Sequence, residues 1–339
     1  MLVNSVFGIL LKVYFGLCFI IDIFSFFLYV LILIFIGNRL IKKKNLHSIG
    51  FYKLILLNGI LDLIYIVEEY IIYRIPQVGL FEHFYIDIFP NLSICRIFSS
   101  YAQSQIIFAS LTGITITLNR FIAIKYPSKY DYFWSGWRLI LLCTWPFLIA
   151  VPMFVYFFEK EVAYMLTSSG SITLYYKEYY LNYLVWQILV IIDSSALCIN
   201  IVFNIILIYT IKKSDILSKL SNNKKKEMKL EISLAKFAVI YCTFFSIVVC
   251  AEICMIIAIN LEAINVAEDI YTSFGFVETV FIFFTPYTLL YLSYDFRQKF
   301  LLFIGYSKLW FFGIKSKTLV KTIKIPANVI KSKFSSSRS

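Results

Sequence analysis

Seven carboxylates stand inside otherwise apolar stretches of this sequence: Asp22, Asp62, Glu68, Glu69, Asp193, Glu252 and Glu278. A charge at membrane depth is costly unless water, a proton or a cation satisfies it, so each is a functional candidate. Counted from the ends of their apolar runs, Glu68, Glu252 and Glu278 fall toward one side of the bilayer, with Gln103 at similar depth. Together they make a candidate ligand pocket. The competing reading is structural: protonated acids hydrogen-bonded to Gln103, Gln105 or tyrosines. Catalytic chemistry finds little support. No Gly-rich phosphate loop and no His-Glu-x-x-His pattern occurs, and the two histidines, His47 and His83, fall on opposite sides of the membrane, where they cannot share a metal. Six of the seven cysteines lie within apolar runs without metal-ligand spacing; Cys95 alone sits at a boundary. We therefore expect no enzyme, cofactor or metal.

The elements that position these residues are long and apolar. Hydrophobic residues make up 60% of the chain, aromatic 19% and charged only 15%, more apolar surface than a water-soluble core could hide. Runs near 13–36, 51–73, 97–118, 139–158, 181–211, 232–260 and 270–294 are each long enough to cross about 30 Å of hydrocarbon at 1.5 Å per residue. The fourth carries Pro146 and Pro152, which predict a kink. The segment 159–180 reads as a loop on the outer side. An all-α membrane protein follows, a seven-transmembrane-helix bundle.

Charge sets its orientation. The formal net charge of +12 could suggest a nucleic-acid binder, but 27 of the 32 Lys and Arg fall in four segments, 39–53, 120–138, 212–236 and beyond 295. Those are alternate loops, so the positive-inside rule places them in the cytoplasm and the N-terminus outside. We expect no nucleic-acid partner. The basic tail, with aromatic residues between its cations, predicts contact with an anionic inner leaflet.

The third run ends in Leu118, Asn119, Arg120, Phe121 and then Lys125, Tyr126, Pro127. Cys95 precedes Arg120 by 25 residues and Pro127 follows it by seven, spacings that resemble those of rhodopsin-like seven-helix receptors. The string LNRFIAIKYP resembles the nematode serpentine chemoreceptors of the gamma superfamily, in its class V or class gamma branch. Asp62 stands where that pattern keeps an acid in the second helix, and Pro286 where it keeps a proline in the seventh. Phe296 and Arg297 match a short amphipathic eighth helix. Departures are Asn119 for the usual acid before Arg120, Ala109 for a serine, Thr285 for the Asn before Pro286, and no kinking proline in the sixth run. The second outer loop also lacks the cysteine that would pair with Cys95, so a reduced thiol is expected there.

The resemblance implies a short extracellular N-terminus over 1–12, a receptor domain over 13–294, and a cytoplasmic helix and tail over 295–339. It implies a chemosensory receptor, an integral multi-pass protein of the plasma membrane, of sensory cilia within that, binding a small-molecule or peptide ligand and activating a heterotrimeric G protein. Asn119, Arg120, Phe121, Pro127, Glu231 and Pro286 would serve coupling and activation. Asn119 offers Arg120 only neutral hydrogen bonds, typically about half as strong as charged ones. Any resting-state carboxylate for Arg120 is then expected from Glu227 or Glu231, and basal signalling is expected to be appreciable. A small-solute transporter or channel is the alternative; it would predict acid and base pairs along a path, whereas the buried ionisable groups are nearly all acids.

Overall fold

A computed structural model describes residues 2–42, 49–166, 171–213 and 222–305. Two compact units divide the chain, Met1–Arg297 and Gln298–Ser339. The first contains seven helices long and apolar enough to span a membrane. They are Leu2–Ile41, a rod over Ile49–Gln77, Ser93–Lys125, a broken pair Gly136–Thr144 and Phe147–Phe158, Tyr179–Lys213, Asn222–Asn260 and Ile264–Leu292. We refer to them as the first to seventh helices. A further helix, Tyr294–Phe303, crosses the division, and the tail beyond 305, with its expected lipid contact, lies outside the described residues.

The helices outrun the hydrophobic runs that mark them. The first begins at Leu2 rather than near Val13, and the sixth at Asn222, within a segment whose polarity reads as loop. Hydropathy reports where lipid begins, not where i to i+4 bonding stops. Outward faces are apolar without being covered: Phe19, Ile20, Ile21, Phe24 and Phe27 of the first helix are all exposed. In water such a face would be a liability; against lipid it is the required surface.

The third helix is the axis of the bundle and packs against the second, fourth, fifth and sixth. Its buried face is built of small residues, including Ser99, Ser100, Ala102, Ser104, Ser110, Thr112, Gly113 and Thr117, which permit close approach between helices. At Gly113 the approach is so close that an added Cβ would run into the Tyr241 ring of the sixth helix. The Tyr241 hydroxyl meanwhile donates to the Ala109 carbonyl at 2.5 Å.

The fourth helix breaks at Trp145 and Pro146, where proline removes an N–H. Trp145 Nε1 donates to Thr115 Oγ1 at 2.8 Å, which fastens the break to the third helix.

The connection read as a loop contains an antiparallel hairpin, β1 Val162–Leu166 and β2 Ile172–Tyr176, with Val162 opposite Tyr176 and Leu166 opposite Ile172. Val162, Tyr164, Ile172, Leu174 and Tyr176 turn inward, an alternation of period two over five residues. Strands this short give a weak signal beside seven membrane helices. The hairpin docks on the second helix, whose end widens into a π-helical turn over Tyr70–Arg74. Such a turn interrupts the α-helical ladder. Tyr85 and Tyr164 donate to the carbonyls of Ile71 and Ile72 there, at 2.8 and 3.0 Å.

Candidate functional site

Three polar regions lie along the bundle. At the hairpin end, a cavity is walled by Tyr65, Glu69, Tyr73, Gln77 and Gln103 from the second and third helices and by Trp186, Tyr271, Phe274, Gly275 and Glu278 from the fifth and seventh. It holds about 410 Å³ of non-atom space, counting its open mouth. Of the four pocket residues expected from sequence, Gln103 and Glu278 line it. Glu68 and Glu252 are fully buried but stand outside that wall.

Behind the wall is Arg74, which in the sequence directly follows the second apolar run. Arg74 is 4% exposed and makes ion pairs with Asp22 at 2.6 Å and Glu69 at 3.6 Å. It also donates to the Gly275 carbonyl at 2.6 Å and to Thr279 Oγ1, and lies over the rings of Tyr70 and Phe276. Five positions apart, Glu69 and Arg74 would point about 140° away from each other on an α-helix at 100° per residue. The π turn advances less per residue and brings them to one side. A five-residue acid-to-base spacing therefore hides this pair from any helical-wheel reading.

The acids of this region outnumber the base. Glu278 accepts from Tyr65 at 2.5 Å through Oε2, while its Oε1 has no hydrogen-bond partner. Both carboxyl oxygens of Glu68 are buried without a hydrogen-bond partner, while Asp193 and Glu252 lie together as an interacting buried pair. These groups feel one another: Glu68 lies within electrostatic reach of Glu69 and Glu278, Glu252 of Asp193 and Glu278.

The second region surrounds Asp62. Tyr29 donates to its Oδ2 at 3.0 Å and Gln105 to its Oδ1 at 3.3 Å. A cavity of about 320 Å³ of non-atom space adjoins it, walled by Asn58, Ala109, Tyr241 and Thr285 among others.

At the opposite end of the bundle, Arg120 is completely buried. Its Nη1 donates to Glu231 Oε2 at 2.8 Å, an ion pair that ties the third helix to the sixth. Nη2 donates to Asn119 Oδ1, and the guanidinium stacks 4.3 Å from the centre of the Phe51 ring. Asn119 in turn donates to the Tyr130 hydroxyl at 3.1 Å. Burial raises the Tyr130 phenol above its ordinary range, although Arg120 opposes this, so it remains a neutral partner. Pro127 opens the turn that carries Tyr130 into place. Phe121 packs on Tyr126 and Phe203, and Pro286 lies inside the continuous seventh helix beside Thr285, which lines the Asp62 cavity. Glu227 lies outside the residues whose side chains are described.

Cys95 is buried, and no disulfide occurs among the described residues. Among the described residues, no group of three or more His, Cys, Asp or Glu is placed to hold a metal.

A seven-helix membrane bundle with an aromatic, acidic cavity at one end and a buried arginine at the other end of its central helix has the architecture of a serpentine receptor. The family model described as Srg family chemoreceptor matches residues 14–300, and the chain belongs to that family. This is a receptor family rather than an enzyme family. No curated protein matches the chain.

Proposed function

We propose that the protein is a chemosensory receptor that binds an external chemical in the hairpin-end cavity and activates a heterotrimeric G protein at the Arg120 end. The observation that carries this reading is the pairing of Arg120 with Glu231 across the third and sixth helices. Both charges sit where separating those helices would break the pair and open a cleft. The third helix runs from the Gln103 wall to Arg120 without interruption, so one rigid element touches both ends.

The mechanism is a shift of population. A ligand that favours the arrangement with the helices apart moves the equilibrium by its differential affinity and by no more than that. On this reading the Arg120 end faces the cytoplasm and the cavity opens outside the plasma membrane, an orientation that the positive-inside count supports. The test is a calcium or cyclic-nucleotide response to a chemical panel in cells expressing the receptor. Arg120→Ala should abolish the response at unchanged surface expression. A normal ligand-stimulated response from well-expressed Arg120→Ala would show that Arg120 only anchors the helix end.

A further inference from the structure

We propose that the hairpin-end cavity takes an organic ammonium ion carried on an aromatic or apolar body. The inference rests on reading this cavity as the ligand site, and it names the chemistry of the ligand.

The wall supplies acceptors with nothing to accept from. Glu278 is 5% exposed and lines the cavity with Oε1 unpartnered; the carbonyl oxygen of Gln103, also on the wall, is buried and unpartnered too. A carboxylate in this setting needs a donor, and a charged donor supplies the strongest bond. The nearest protein cation cannot meet that need. Arg74 is already committed to Asp22, Glu69, Gly275 and Thr279, and it is not on the wall.

Apart from Arg74, the titratable groups beyond the first layer are acids as well. Glu68 is buried with both carboxyl oxygens unpartnered, and Asp193 and Glu252 form a second buried acidic pair within electrostatic reach of Glu278. An anionic ligand would meet acidic neighbours on several sides. The rest of the lining is aromatic: Tyr65, Tyr73, Trp186, Tyr271 and Phe274. Ring faces attract cations and also bury an apolar body, which together describe an amine with a hydrophobic substituent. A bare metal ion fits poorly, since the described acids do not converge in a ligand set.

The test uses the full-length protein in lipid nanodiscs and three probes of matched shape: 2-phenylethylamine, 2-phenylethanol and phenylacetate. Thermal stabilisation is titrated with each. The amine should stabilise at the lowest concentration, the alcohol at about tenfold higher, as expected for loss of one charged bond, and phenylacetate least. Glu278→Gln should raise the concentration of amine needed by about tenfold, whereas exposed Glu262→Gln should leave it unchanged.

The series on the unaltered protein stands even where Glu278→Gln fails to fold. Equal stabilisation by amine and alcohol, preference for phenylacetate, or no stabilisation by the amine at millimolar concentration overturns the proposal. These outcomes separate from the receptor reading. An amine that stabilises without any signal through a G protein supports the ligand class and defeats coupling. Stabilisation and signalling by phenylacetate defeat the ligand class and leave coupling standing.

Discussion

Replacing Glu231 by Gln removes one charge from the ion pair that joins the third and sixth helices while keeping its shape. Arg120 is fully buried and the Glu231 side chain is only 14% exposed, so solvent screens their 2.8 Å contact little. A hydrogen bond to a charged group contributes about 1.5–3 kcal/mol and a neutral one about 0.5–1.5 kcal/mol. The substitution should then cost the closed arrangement about 1–1.5 kcal/mol, equivalent to a five- to tenfold shift toward the open one. Arg120 retains Asn119 and the Phe51 ring, so its side chain should stay in place. A receptor resting with about 1% of molecules active would rise to about 5–10%. The assay is ligand-free second-messenger output divided by receptor at the cell surface, for Glu231→Gln against the unaltered protein. Unchanged basal output from a well-expressed variant would refute the idea that this pair holds the inactive state.

Three further outcomes follow from the packing. Gly113→Ala should destabilise the bundle by about 1–3 kcal/mol, because the Tyr241 ring cannot yield without losing its bond to Ala109; a melting curve of the purified protein reads it. Arg74→Met should cost about 3–5 kcal/mol by leaving Asp22 and Glu69 buried without their cation, and adding Asp22→Asn should recover part of the lost surface expression. At the hairpin, Lys177 holds the Glu161 carboxyl below its ordinary range by a 2.9 Å hydrogen bond, but the pair is exposed. A depressed acid contributes stability above its unfolded value and loses it as pH falls through the folded one, so any contribution should be present at neutral pH and lost below about pH 4.5. Glu161→Gln should leave the melting temperature at pH 7 essentially unchanged, as is usual for exposed pairs.

The number of spans and their family were legible in residue order because both depend on local properties. A run without charge over Ile97 to Leu118 has to cross lipid wherever its neighbours lie, and the interval from Cys95 through Arg120 to Pro127 is set along one helix and the turn that follows it. Helix ends were less legible: Asn222 to Leu230 is polar yet helical, since backbone bonding does not stop where lipid does. The hairpin was missed for a related reason, its two five-residue strands being stabilised by Tyr164 and Tyr176 packing inward rather than by a long pattern of their own.

What residue order determined about the polar groups was their identity and depth, not their company. Residue order left Glu227 and Glu231 as alternative carboxylates for Arg120, and only the packing of the sixth helix on the third places Glu231 Oε2 against the guanidinium. The same holds at the hairpin end, where Gln103 and Glu278 both line the cavity while Glu68 and Glu252 do not. Arg74 was decided by tertiary structure altogether. Its partners Asp22 and Gly275 come from the first and seventh helices, and Glu69 reaches it only because the second helix widens into a π turn. Hydropathy is summed along one chain segment, whereas the pairing of buried charges depends on which helix faces which, a relation that exists only after the seven helices have packed.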